Sequence, residues 1–398
     1  MINFIALLFL LISFSVCAKE FDIEFAGSFG LQAKSIENSL TADNFGQDWK
    51  KDEAYIGYAN MDVKLELYHN KIDANWFVRH SQSDLYDQDK DYVAPFYFAF
   101  PNKVVSRNVF KLRKIDRTDD SVTESILNQF IYEWGDEDTS FVFGRMFIEF
   151  GEGYFFNPID PFMLPLSLST LQGVQQGNDG LSFHFDKRSD LQVNLYLLGD
   201  KQFTDYDGRI TRTILLHGDW DYTKQTHINY ILGEDQKRHK YGFEIKHSFD
   251  TGLIYAQAVR HSQRLDKEEE DDKGLQHYLL GYEKDLTRNL TSRLELGRHE
   301  IDDTFPEAEY ERNFLPIEDF IGLSNMYRFN DRNFAILQGL TDTKTQMLYL
   351  QSSFTHRLKK YFEIKLFAKG VVARSKDDDD SQQRTIPREF GAAFQSQF

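Results

Sequence analysis

One cysteine, eight prolines and a deficit of basic residues are the first things to notice in this chain of 398 residues. The lone cysteine, Cys17, excludes a disulfide framework. The 46 Lys and Arg are outnumbered by 63 Asp and Glu, leaving a net charge of −17. That balance argues against a nucleic-acid partner, whose phosphates need a basic surface to neutralise them. After residue 18 no apolar run approaches the roughly 18 residues that a membrane helix requires. What the chain has in quantity is aromatic side chains, 36 Phe and 20 Tyr. With so little proline, this suits many strands with aromatic-rich faces.

Met1 to Ala18 form an apolar run that ends in Val16-Cys17-Ala18 and is followed by the charged pair Lys19-Glu20. The pattern predicts a signal peptide over 1–18 and a mature domain over 19–398. An uncleaved anchor is the alternative. A lipoprotein reading through Cys17 is opposed by Val16, because that processing wants a small residue before the cysteine. Cleavage after Ala18 leaves a mature chain without cysteine, and so without thiolate chemistry.

The mature chain alternates with a period of two. Ala59, Met61, Val63, Leu65 and Leu67 oppose Asn60, Asp62, Lys64 and Glu66, then a turn at His69-Asn70-Lys71 leads into Ile72, Ala74, Trp76 and Val78. This is a hairpin. Others are predicted at 124–134 with 139–148, 180–186 with 190–199, 209–221 with 226–233, 240–249 with 253–262, 275–284 with 290–300, and 343–356 with 361–374. Seven hairpins plus a first strand near 20–31 and a last near 388–398 give sixteen strands. If 92–114 and 319–338 each hold a further strand, the count is eighteen. An even count with tight turns at one end and long loops at the other fits an antiparallel barrel that crosses a membrane, whose strands each hide a polar face and so show no hydropathy run. Neither a linker nor a repeat suggests a second domain.

The final segment places Phe390, Ala392, Phe394, Ser396 and Phe398 on one face. An amphipathic last strand ending on an aromatic resembles the assembly signal of bacterial outer-membrane β-barrels, with Phe390, Phe394 and Phe398 as its aromatic positions. A soluble sandwich with an edge strand ending in Phe is the competing reading. Strand number, ending and loop positions together resemble the porin-like group, over nearly the whole mature chain. In sixteen-stranded porins the third long loop folds back into the lumen and narrows it. The resemblance therefore implies the same for Gly144–Gly180, which contains "FGEG" and "NPIDPF". The residues agree with this, since Tyr154, Phe155, Phe156, Ile159, Phe162 and Met163 offer too much apolar surface to stand in water. Packing on the rim or on a neighbouring subunit is the alternative.

This reading gives an all-β transmembrane barrel of the outer membrane acting as a channel for small hydrophilic solutes. Candidate constriction residues are Glu149, Glu152, Asp160 and Asp179, with Arg145, Lys64, Arg293 and Lys365 as an opposing basic wall, or each is an ordinary solvated lumen group. The carboxylates would favour cations. Expected partners are outer-membrane lipid and lipopolysaccharide, the barrel assembly machinery and small solutes, with a homotrimer also allowed. No cofactor, metal or catalytic group is predicted: there is no His-Glu-x-x-His and no Gly-x-Ser-x-Gly, and Ser182 with His184 lacks a further partner. The acidic runs at 266–273 and 376–380 read as solvated loop tips, without the spacing of a calcium loop. A scaffold or adhesin that binds a partner through its acidic loops is the rival function, and a barrel hydrolase a weaker one.

Overall fold

The structure is a computed structural model. It describes residues 22–38, 50–67, 69–83, 113–118, 121–136, 138–160, 177–188, 190–201, 210–235, 238–262, 274–300, 319–343, 348–359, 361–372 and 385–397. Residues 1–18, Phe398 and the acidic runs lie outside them. In chain order the strands are β1 (Asp22–Asn38), β2 (Lys50–Leu67), β3 (Asn70–Ser83), β4 (Arg113–Arg117), β5 (Ser121–Gly135), β6 (Thr139–Met146) and β7 (Asn178–Arg188). They continue as β8 (Leu191–Lys201), β9 (Ile210–Thr223), β10 (Thr226–Asp235), β11 (Arg238–Phe249), β12 (Gly252–His261) and β13 (Leu275–Thr287). The last are β14 (Leu290–His299), β15 (Asp319–Asn330), β16 (Asn333–Asp342), β17 (Leu348–Lys359), β18 (Phe362–Val372) and β19 (Thr385–Gln397).

Each wall strand pairs antiparallel with its neighbours, and β19 returns to β1 with Leu31 opposite Phe394. The ring is therefore closed and has no free edge. Eighteen strands build it. The short β4 is extra: it pairs with Val122–Ile126 of β5, whose other edge β3 already occupies, so it takes the edge that β6 occupies further down.

The sixteen-strand expectation is corrected to eighteen, the alternative count. The additional hairpin is β15–β16, which begins with the candidate segment 319–338 and fills it with two strands in place of one. Its alternation is hidden because the inward face carries Phe320 and Gly322 while the outward face carries Ile321 and Leu323, so both faces look apolar. The other candidate segment, 92–114, lies outside the described residues up to 112 and then supplies only β4.

Turn chemistry explains the tight end of the barrel. Thr223 Oγ1 accepts from the N–H groups of Gln225 and Thr226, and Thr287 Oγ1 accepts from those of Asn289 and Leu290. Asn330 Oδ1 does the same for Arg332 and Asn333, as does Asp136 Oδ1 for Asp138 and Thr139. A short side chain thus satisfies the donors that each hairpin leaves unpaired.

Along much of the wall burial alternates in the sense opposite to a soluble protein. On β11, Tyr241, Phe243 and Ile245 are exposed while Lys240 and Glu244 are buried. A surface that displays aromatic and aliphatic groups and encloses charges belongs in hydrocarbon. No helix among the described residues is long and apolar enough to cross a membrane; the strands cross instead.

The described wall is irregular around β6. A register shift in β3–β5 at Asn75/Trp76 and a positive φ of 129° at Gly144, where a Cβ would stand 2.1 Å from Phe130 O, disturb the ladder around β6. Arg145 bridges it with a fork onto Asp179 (Nε–Oδ1 2.7 Å, Nη2–Oδ2 2.9 Å) and a third bond to Leu127 O at 3.0 Å.

Candidate functional site: the loop after β6

Past Met146 the chain turns into the barrel. Gly151, at φ 69°, allows the reversal. The loop then closes on itself: Phe150 N donates to Asp160 Oδ2 at 2.9 Å, Asp160 N donates to Asn157 O at 3.1 Å, and Asn157 Nδ2 donates to Phe150 O. Asp160 is thereby buried as an internal brace.

Apolar anchors hold this unit against the inner wall. Phe155 is fully buried among Tyr255, Leu279, Phe320, Leu340 and Tyr349, which come from β12, β13, β15, β16 and β17. Gly322 makes the seat for its ring: a Cβ there would lie 2.3 Å from Phe155 Cδ2. Phe150 and Ile159 pack with Leu198, Ile231 and Val259 of β8, β10 and β12. Phe150 also stacks on His217 at 4.3 Å, and Phe156 meets His299 edge-on at 4.8 Å.

Two wall carboxylates grip the loop backbone. Glu295 of β14, fully buried, accepts from Tyr154 N at 2.6 Å, Phe155 N at 2.8 Å and the Tyr255 hydroxyl. Glu244 of β11, equally buried, accepts from Glu152 N at 3.0 Å, Asn229 Nδ2 at 2.7 Å and Gln257 Nε2. Charge-assisted bonds to main-chain N–H groups are strong, and here they fix a segment with no ladder of its own. The Tyr154 hydroxyl accepts from Gln338, and the Arg293 guanidinium lies 4.4 Å over its ring.

The eight sequence candidates separate into three situations. Glu149 is exposed on the loop, while Glu152 is half-exposed and paired with Lys246. Arg145 and Asp179 are paired with each other, each about 1% exposed, in the wall; Asp160 braces the loop. Arg293 is half-buried against Glu283 and Tyr154. Lys64 and Lys365 stand on β2 and β18, the inner wall across from the loop's anchors, where Lys64 is exposed and Lys365 half-buried.

Beside the loop the inward positions of β11–β17 are covered, whereas near the tight turns inward groups on several strands are reached by solvent, among them Arg328 of β15 and Arg357 of β17. Glu24, Lys64 and Glu66 are exposed, and Asp62, Glu363 and Gln395 are partly so.

Glu244, Lys246 and Glu283 were missed as site residues. Alternation marks each as lumen-facing; Glu283 meets Arg293 directly across the β13–β14 hairpin, but nothing local says that the partners of Glu244 and Lys246 lie in the loop.

No protein-family model matches the chain, and no curated protein matches it. Solved structures do. A BenF-like porin from Pseudomonas fluorescens Pf-5 aligns over 94% of this chain and 99% of its own, with a TM-score of 0.60 at 9% identity. OccK9 (OpdG) of Pseudomonas aeruginosa gives 0.58 at 10% identity, covering 94% and 99%. OccAB4 of Acinetobacter baumannii gives 0.57 at 10% identity, covering 94% and 98%. The chain shares the fold of these outer-membrane porins over 94% of its length.

Proposed function

We propose that this chain is an outer-membrane channel through which small hydrophilic solutes diffuse passively, with a preference for cations. The observation that carries the reading is a closed eighteen-stranded wall with a polar inner face, narrowed from one side by a tightly docked loop. A wall of this size encloses an aqueous lumen. A scaffold would have no use for the buried carboxylates that hold the loop inside.

Support for cation preference comes from charge that solvent reaches: Glu149 and Glu152 on the loop, and Glu24, Asp62 and Glu66 on the facing wall, against Lys64 and Lys365. Carboxylates in a narrow passage hold cations through a field that salt screens over about 10 Å at 0.1 M. Insertion by the barrel assembly machinery and association as a trimer belong to the same proposal.

Single-channel recording in planar bilayers with a salt gradient tests it. Steady conductance is expected, with a reversal potential of cation-selective sign that moves toward zero in Glu149→Gln/Glu152→Gln. A correctly folded barrel that passes no current returns the protein to the scaffold class.

A further inference from the structure

The tip of the loop rests on histidine. Phe156 meets the His299 ring at 4.8 Å and the His277 ring at 6.1 Å, edge-on in both cases. The two histidines are buried and stand directly opposite each other on β14 and β13. Their rings stack at 4.7 Å, and Nδ1 faces Nδ1 at 2.8 Å. A proton on one of those nitrogens makes this a hydrogen bond, in which one imidazole donates and the other accepts. His299 Nε2 has no further partner among the described residues.

The surroundings offer nothing to balance a second proton. His261 of β12 lies edge-on to His277 at 5.3 Å, and Lys240 of β11 stands directly opposite His261. From β15 and the loop come the rings of Phe320 and Phe156. The carboxylates on these elements are engaged elsewhere. Glu295, two inward positions along β14 from His299, accepts from Tyr154 N and Phe155 N, and Glu244 of β11 accepts from Glu152 N. Asp160 of the loop accepts from Phe150 N, Glu300 from Gln276 N, and Asp319 pairs with Arg298. Asp342 of β16 stands opposite Phe320, two strands from His299. Among the described residues neither histidine of the pair meets a carboxylate.

We propose that His277 and His299 form a pH-sensitive latch, which seats Phe156 while the two rings share one proton and releases the loop tip in acid. With both rings protonated, two N–H groups would stand head-on between the facing nitrogens, next to His261 and Lys240, and a buried charge without a partner is costly. Lifting Phe156 admits water to the rings. Each can then take its own proton as an exposed histidine does, near about pH 6.5. The released state thus binds more protons than the docked one, so docking is complete above that pH and weakens below it. For one extra proton, the docked-to-released ratio falls about thirtyfold between about pH 7.5 and about pH 5.

The test is amide hydrogen exchange of the loop from Phe150 to Asp160 in the full-length folded barrel in detergent, at these two pH values and corrected for the pH dependence of free amides. Protection there reports the docked-to-released ratio, and it does not depend on the channel conducting. It should fall by about thirtyfold or more in the parent, and by less than about threefold in His277→Gln/His299→Gln. Heat-modifiable migration verifies folding, and His277→Phe/His299→Phe answers the same question where the glutamines prevent it. Equal protection of the parent at both pH values would overturn the proposal. So would a fall that the folded double variant retains, which would belong to Glu244, Glu295 or the His217 under Phe150.

Discussion

Glu295 is the residue on which the docked loop most depends, and Glu295→Gln probes it with the least change of shape. The carboxylate accepts two backbone N–H groups and a phenol while fully buried. Each bond to a charged acceptor contributes about 1.5–3 kcal/mol. The amide keeps one acceptor oxygen but turns an NH₂ group towards a donor that it cannot satisfy. The loss should be about 3–5 kcal/mol, because the bonds are not additive and part of the cost is the donor left buried. Burial of the Phe155 ring, worth about 1.5–3 kcal/mol, does not offset it. A loss of about 3 kcal/mol lowers the docked-to-undocked ratio roughly a hundredfold. In single-channel recordings the variant should flicker to a higher conductance level that the parent rarely visits. Equal conductance and equal current noise in a folded Glu295→Gln barrel would show that the clamp does not hold the constriction.

Gly322→Ala should have a related effect by a different route. Its methyl group would overlap the seated ring of Phe155, costing about 1–3 kcal/mol and raising mean conductance without altering the wall. Arg145→Lys should lower the temperature at which the barrel loses its heat-modifiable form, since an ammonium cannot bridge Asp179 and Leu127 O as the guanidinium does. Its selectivity should be unchanged. Deleting Phe398 should reduce folded protein in outer-membrane fractions and leave protease-sensitive chain behind, seen by immunoblot.

Most of the wall was legible in the sequence because lipid imposes a strict alternation on every strand. β11 shows this at its clearest, with Tyr241, Phe243 and Ile245 exposed and Lys240 and Glu244 buried. Legibility failed at β15–β16, where the loop rather than water lies against the inner face and Phe320 therefore interrupts the polar row. The apolar surplus of Tyr154, Phe155 and Phe156 pointed correctly to a packed loop. Sequence could not say which acceptors would hold it, because Glu244 and Glu295 lie 92 and 140 residues from the N–H groups that they accept.

The distance along the chain between the loop and its anchors also has a consequence in time. Tyr154 waits for Gln338, 184 residues further on, and Phe155 for a pocket completed by Tyr349. Contacts of such long span form only after most of the intervening chain has been ordered, because the loop-closure entropy has to be offset first. The loop precedes most of the wall in sequence but must follow it in folding. For part of its maturation the wall then stands without its docked loop, and the seat of Phe155 is filled only at the last step.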